Sequence, residues 1–387
     1  MISKIFIFFF TLGLIYFARF ESFTFLFQKL IVPLIFLFLL LKNPSFISKI
    51  GIISLYLLFI VFATTSFVHS INEVRTLRFF QLMIGSFMLI FIYVVLLVKK
   101  PKLLNAICYA LMVSAALFIL TLDSSPKEIV AGRETGITSN PNLLGMFMLY
   151  SIFGVALLWR EAKFKLKIFL TGILILSLYG IVVTASRKSL LSAVLFLSLW
   201  MIILFASEKN IFKILLFVTV AVVISYYSYN FIYEDSILIY RLKNITESGE
   251  SRYDIATEGI NIFKQSPLIG VGLGTFQEYS ESGKYAHNDF FELLATLGII
   301  GVIIYTSIYY WLIKSIRTVK RHVYDENVFY QLNLFLAIIM TMIVLGFGRP
   351  HFFDIFSMSI FGILAGYTFG VGLIIHKDNG NRVFRET

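Results

Sequence analysis

Charge is scarce in this sequence. Asp, Glu, Lys and Arg make up 14% of its 387 residues, against about 25% in a soluble domain. That is too little to cover a water-facing surface, so a soluble globular protein is excluded. Cysteine is nearly absent: Cys108 stands alone, which rules out an intramolecular disulfide and any cysteine-based metal site. There is no Gly-Lys-Ser/Thr phosphate loop. Strict apolar–polar alternation, the mark of a membrane β-barrel strand, is missing as well.

Long apolar runs are abundant instead. Hydrophobic residues account for 58% of the chain, and runs of about 18–20 residues, each enough to cross a bilayer as a helix, recur along its length. The expectation is an all-α polytopic membrane protein, one integral membrane domain over 1–387 with about twelve transmembrane helices. They fall near 5–20, 26–41, 50–68, 79–98, 103–122, 141–159, 166–185, 189–206, 211–230, 291–313, 328–347 and 355–375. Gln28, Lys29 and Pro33 interrupt the second. No small-residue cleavage pattern follows the first, so it reads as a retained span.

The net charge is +11. The basic residues cluster in the joints between spans, so they report topology and not a nucleic-acid partner. With the N-terminus inside, nineteen Lys/Arg fall in inside joints and nine in short outside joints. That bias puts both termini in the cytoplasm. It also leaves one long extracytoplasmic loop, 231–290, between spans nine and ten. Loops of that length are usually functional.

The loop holds an amphipathic helix signal. Ser251 reads as N-cap with Asp254 three residues on, Ile255, Gly259, Ile260, Ile262 and Phe263 form an apolar face, and Pro267 and Gly270 stop it. Arg252 then lies in the first turn, where free N–H groups favour anions; a solvated loop cation is the other reading. Gly270-Val271-Gly272-Leu273-Gly274 lacks the spacing of a dinucleotide fingerprint and reads as a tight turn.

His287 follows, where water meets the membrane, able to take a proton near neutral pH. Asn288, Asp289 and Glu292 are near it in sequence. It is either a general base or an interfacial histidine with satisfied hydrogen bonds. One His with nearby carboxylates does not make a metal site. Arg187 and Lys188 sit in the tight joint between spans seven and eight, where charge usually faces a cavity or a partner; snorkelling to the interface is the alternative, easier for Lys188. Arg75 and Arg78, and Arg349 with His351 and Asp354, mark two further outside joints, as cavity linings or as interface anchors. Asn140 and Pro141 read as the cap and first residue of the sixth span.

Four stretches in order resemble the O-antigen ligase and O-antigen polymerase superfamily. They are Ser139-Asn140-Pro141-Asn142, Thr184-Ala185-Ser186-Arg187, Ser251-Arg252 through Pro267-Leu268-Ile269-Gly270-Val271-Gly272-Leu273-Gly274-Thr275-Phe276, and Ala286-His287-Asn288 with Glu292 and Leu297-Gly298-Ile299-Ile300-Gly301. The resemblance implies a GT-C-type, inverting, metal-independent glycosyltransferase without a cofactor. It would work at the outer face of the bacterial inner membrane among membrane lipids. An undecaprenyl-diphosphate-linked glycan would be the donor, and lipid A–core (ligase) or a lipid-linked repeat unit (polymerase) the acceptor. On this analogy Arg187 and Arg252 hold the diphosphate and His287 activates the acceptor hydroxyl. Lys188, Asn288, Asp289 and Arg349 are secondary candidates. A polysaccharide transporter or flippase would also use twelve spans, but it predicts ionisable groups near the membrane midplane, whereas here they gather at the ends.

Overall fold

The computed structural model describes residues 2–122, 134–138, 140–206, 245–281, 283–348 and 350–379. Among them, eleven helical segments are long and apolar enough to cross a membrane. They are α1 Ile2–Arg19, α2 Phe25–Lys42, α3 Gly51–His69, α4 Glu73–Lys99, α5 Pro101–Leu120, α6 Pro141–Trp159, α7 Phe164–Val183, α8 Arg187–Phe205, α11 Asp289–Lys320, α12 Glu326–Gly346 and α13 Ile355–Lys377. Between α8 and α11 come α9, Ile245–Gln265, and the single turn α10, Phe276–Tyr279. Each expected span has its helix except the ninth, 211–230, which lies outside the described residues, as do Arg349, 231–244 and most of 123–140. The interrupted second span forms because Phe25–Ile31 widens to a π-helix before Pro33, which has no N–H to donate.

The chain divides into two compact units. The first comprises Met1–Phe20, Asn105–Glu247 and Asp325–Thr341. Its centre is α6, whose residues are almost all buried. Asn140 caps α6, its Oδ1 accepting from Asn142 N at 2.9 Å and Leu143 N at 3.3 Å. Aromatic rings line the helix, with Phe118 stacked on Phe147 and Phe153 against Phe196. At one end Trp200 Nε1 donates to Tyr330 Oη at 2.7 Å, which donates to Ala156 O at 2.9 Å. Each ring thereby buries apolar area and keeps its polar atom bonded.

The second unit comprises Glu21–Leu104, Ser248–Tyr324 and Met342–Thr387. Its backbone is the α4–α13 pair. Gly362, Gly366 and Gly370 recur every fourth residue on α13, and a Cβ at Gly362 would stand 2.8 Å from Ile90 Cα. Lipid offers no hydrophobic drive for helices to associate, so close backbone approach through small residues supplies the contact energy.

Candidate active site

α11 is not the straight span its hydropathy suggests. Gly298 has φ 63° and ψ −169°, which breaks the helix into 289–297 and 299–320. Asp289 Oδ2 accepts from Tyr305 Oη at 3.4 Å. In a continuous helix those residues would lie about 24 Å apart along the axis, beyond the reach of both side chains. The chain therefore reverses at Gly298, and 289–297 lies back along the first turns of 299–320. The 22 residues after the break still measure about 33 Å, enough to cross the hydrocarbon alone.

A reversal inside a helix frees backbone groups on both sides, and apolar surroundings make them costly. The glycine run satisfies them. Val271 N donates to Ala295 O and Gly272 N to Thr296 O, both at 3.0 Å. In return Ile299 N donates to Pro267 O at 3.0 Å and Ile300 N to Leu268 O at 3.3 Å. Such contact leaves no room for side chains: a Cβ at Gly270 would stand 2.2 Å from Thr296 C, and one at Gly298 2.4 Å from Leu268 C. Gly270, with φ 74°, and Gly298 also need a backbone that other residues resist. What reads in sequence as a tight turn is a clamp on a broken helix.

A small core seals the assembly. Ile255 and Ile262 of α9, Val271, Phe276, Ala286 and Ala295 pack together, with Tyr279 and Phe291 at their edge. α9 starts at Ile245, six residues before the expected cap at Ser251. Gly249 lowers helix propensity by about 1 kcal/mol without ending the helix. Arg252 thus sits beyond the first two turns, and the argument from free N–H groups no longer applies to it.

His287 occupies the turn into 289–297 with φ 54°, one of two non-glycine residues with positive φ among the described residues. Two neighbours fix this turn. Asn288 caps the helix, its Oδ1 accepting from Phe290 N at 2.8 Å and Phe291 N at 3.3 Å. Glu292, 1% exposed, accepts from Ala286 N at 2.9 Å. The His287 and Tyr285 ring centroids are 3.8 Å apart. Asp289 does not orient the imidazole, as its place in sequence suggests. Its Oδ1 takes the N–H of His351 and, at 3.3 Å, that of Phe352, and Tyr56 Oη donates to Phe352 O at 2.8 Å. Nothing in the sequence around Asp289 signals a partner 62 residues away. An apolar groove of about 230 Å³ starts at Asn288 and Asp289 and follows Val302, Tyr305 and Tyr309.

The Asp289 junction gives a prediction. Asp289→Ala leaves two buried N–H groups without their acceptor, at about 1–3 kcal/mol each. Thermal unfolding of the purified protein should fall by several degrees, and less in Asp289→Asn, which keeps one acceptor oxygen.

The other motif pair meets in the first unit. Ser186 Oγ donates to Asn142 Oδ1 at 3.1 Å and lies 2.9 Å from Ser189 Oγ. Gly145 admits this contact, since its Cβ would be 2.7 Å from Ser189 Oγ. Ala185, the second non-glycine residue with positive φ, at 46°, turns the chain from α7 into α8. Arg187 and Lys188, both partly buried, open α8. The structure thus joins the four stretches in pairs, 140–142 with 184–187 and 252–276 with 286–301.

Residues 172–306 match the family described as O-Antigen ligase. The match supports the resemblance of this part of the chain to the O-antigen ligase and polymerase superfamily. The matched stretch runs from α7 to Thr306 in α11, and takes in Arg187, Arg252, the glycine clamp and His287. No curated protein matches the chain. A chain of a solved structure described as "Structural coordination of polymerization and crosslinking by a peptidoglycan synthase complex" aligns over 86% of this chain and 98% of its own, at 12% identity and a TM-score of 0.49. That likeness is too slight to argue from.

Proposed function

We propose that this protein transfers a glycan from a polyprenyl-diphosphate carrier to an acceptor hydroxyl at the outer face of the cytoplasmic membrane, as an O-antigen ligase does. The observation that carries this reading is the placement of strain. A left-handed backbone costs a non-glycine residue about 1–2 kcal/mol, and such residues gather at functional sites. Among the described residues the two such are His287 and Ala185, two positions before Arg187, and both lie within the family stretch.

In this mechanism His287 takes the proton of the acceptor hydroxyl as its oxygen attacks the anomeric carbon. The bond from that carbon to the diphosphate breaks, with inversion, and the carrier leaves with the bonding electrons. Arg187 and Arg252 balance the charge that grows on the diphosphate. The apolar groove beside Asn288 and Asp289 suits the hydrocarbon of a lipid-borne substrate.

A strain lacking the gene, run on a lipopolysaccharide gel, tests the reading. Lipid A–core bare of every O-chain is the result expected for a ligase. A product with a single repeat moves the activity to a polymerase, and an unchanged ladder refutes both.

A further inference from the structure

A second candidate site lies at the start of α4. A cavity of about 480 Å³ is lined by the polar residues Asn72, Arg75, Arg78 and Gln277 together with apolar ones including Phe79 and Leu82, one helix turn further along α4. Arg75 Nη1 is paired with Glu278 Oε2 at 2.8 Å, and Asn72 Nδ2 donates to the second oxygen of the same carboxylate at 2.6 Å. One nitrogen of Arg75 is so engaged; most of its five N–H donors have no acceptor among the described residues. Arg78 has neither an ion pair nor a hydrogen bond there. The polar part of the lining is therefore rich in donors, and Glu278, the carboxylate paired with Arg75, is already shared with Asn72.

Depth tells what fills it. α4 has 27 residues, about 40 Å, against about 30 Å of hydrocarbon. Shared between both ends, the excess is about 5 Å at each. Arg78 stands about 8 Å into the helix, at the boundary of the hydrocarbon. Its helix neighbours face lipid, with Val74 82% and Leu77 47% exposed. A guanidinium at that depth needs an anion, and the anions at that depth are the phosphates of lipid heads. Two arginines match a phosphate's geometry, and Phe79 and Leu82 give the first carbons of an acyl or prenyl chain an apolar wall.

The cavity is also fastened to the clamp. Thr76 Oγ1 donates to Leu273 O at 2.9 Å, and a Cβ at Gly274 would lie 2.6 Å from Phe79 Cδ2. We infer that the Arg75–Arg78 cavity binds the phosphate head of a membrane amphiphile against the side of the glycine clamp. The inference does not depend on the transfer chemistry, so each can fail alone.

The test is lipid retention by the purified full-length protein in detergent, read by native mass spectrometry after exposure to phosphatidylglycerol or to phosphate-free diacylglycerol. Wild-type protein should keep phosphatidylglycerol and not diacylglycerol. Arg78→Ala should lower that retention about tenfold, the loss of one charge-assisted hydrogen bond; Arg78→Lys should fall between, keeping the charge but not the fork. The exposed Arg78 side chain is not needed for folding, so the thermal midpoint should not move. Equal retention by wild type and Arg78→Ala overturns the inference. So does displacement of the lipid by millimolar inorganic phosphate, which would mark a site for the free anion.

Discussion

Glycan transfer by the His287→Ala variant should fall about 10²–10⁴-fold, the usual contribution of a positioned base, while the protein still reaches the membrane. Alanine alone does not isolate the chemistry, because position 287 holds φ 54°, which alanine resists. Asparagine adopts that conformation several times more readily than most residues, and it cannot take the proton. His287→Asn should therefore unfold at the wild-type temperature yet transfer as little glycan as His287→Ala. Substantial turnover in the asparagine variant would remove His287 from the role of base. Lost turnover together with a lowered unfolding temperature would assign the residue to the turn instead.

The second large effect belongs to Gly298. Its φ 63° and ψ −169° fall in a region open essentially to glycine alone. A Cβ there would also meet the Leu268 carbonyl carbon and oxygen at 2.4 Å and Ile269 N at 2.6 Å. These are backbone atoms that cannot swing away. Gly298→Ala must open the clamp, leaving up to four exchanged hydrogen bonds without partners next to apolar surface. The expected loss is on the order of 4 kcal/mol or more, read as a lower thermal midpoint in detergent with transfer abolished. Gly172 is the control: it is helical, and a Cβ there meets nothing within 4 Å. Gly172→Ala should be neutral or stabilising by up to about 1 kcal/mol. Equal effects at both positions would show that the clamp does not hold α11 in its reversed form.

The two variants test different levels of one arrangement. The clamp sets where 289–297 lies, Asn288 and Glu292 set the turn before it, and the turn sets the imidazole. Opening the clamp should reduce stability and transfer together. Changing His287 to asparagine should separate them.

Much of the membrane architecture was legible from composition alone. Eleven expected spans have helices because hydropathy and span length are local quantities, counted along the chain without knowing what it packs on. The cap at Asn140 was legible for the same reason, its partners being two and three residues away. Arg187 and His287 stood out as charge or a titratable ring where the membrane tolerates little of either. The reversal at Gly298 was not legible. An apolar run containing two glycines looks the same whether it continues or folds back, and what decides it is an exchange of hydrogen bonds with Pro267–Gly272, some 30 residues earlier. Nor could sequence show that Asp289 serves the backbone of 351–352 and not the adjacent histidine. Local patterning thus determined that this chain crosses a membrane many times and where its unusual polar residues stand. Only the tertiary structure decided how the segment around His287 is held, because the groups freed by a broken helix must find partners in space, whatever their distance along the chain.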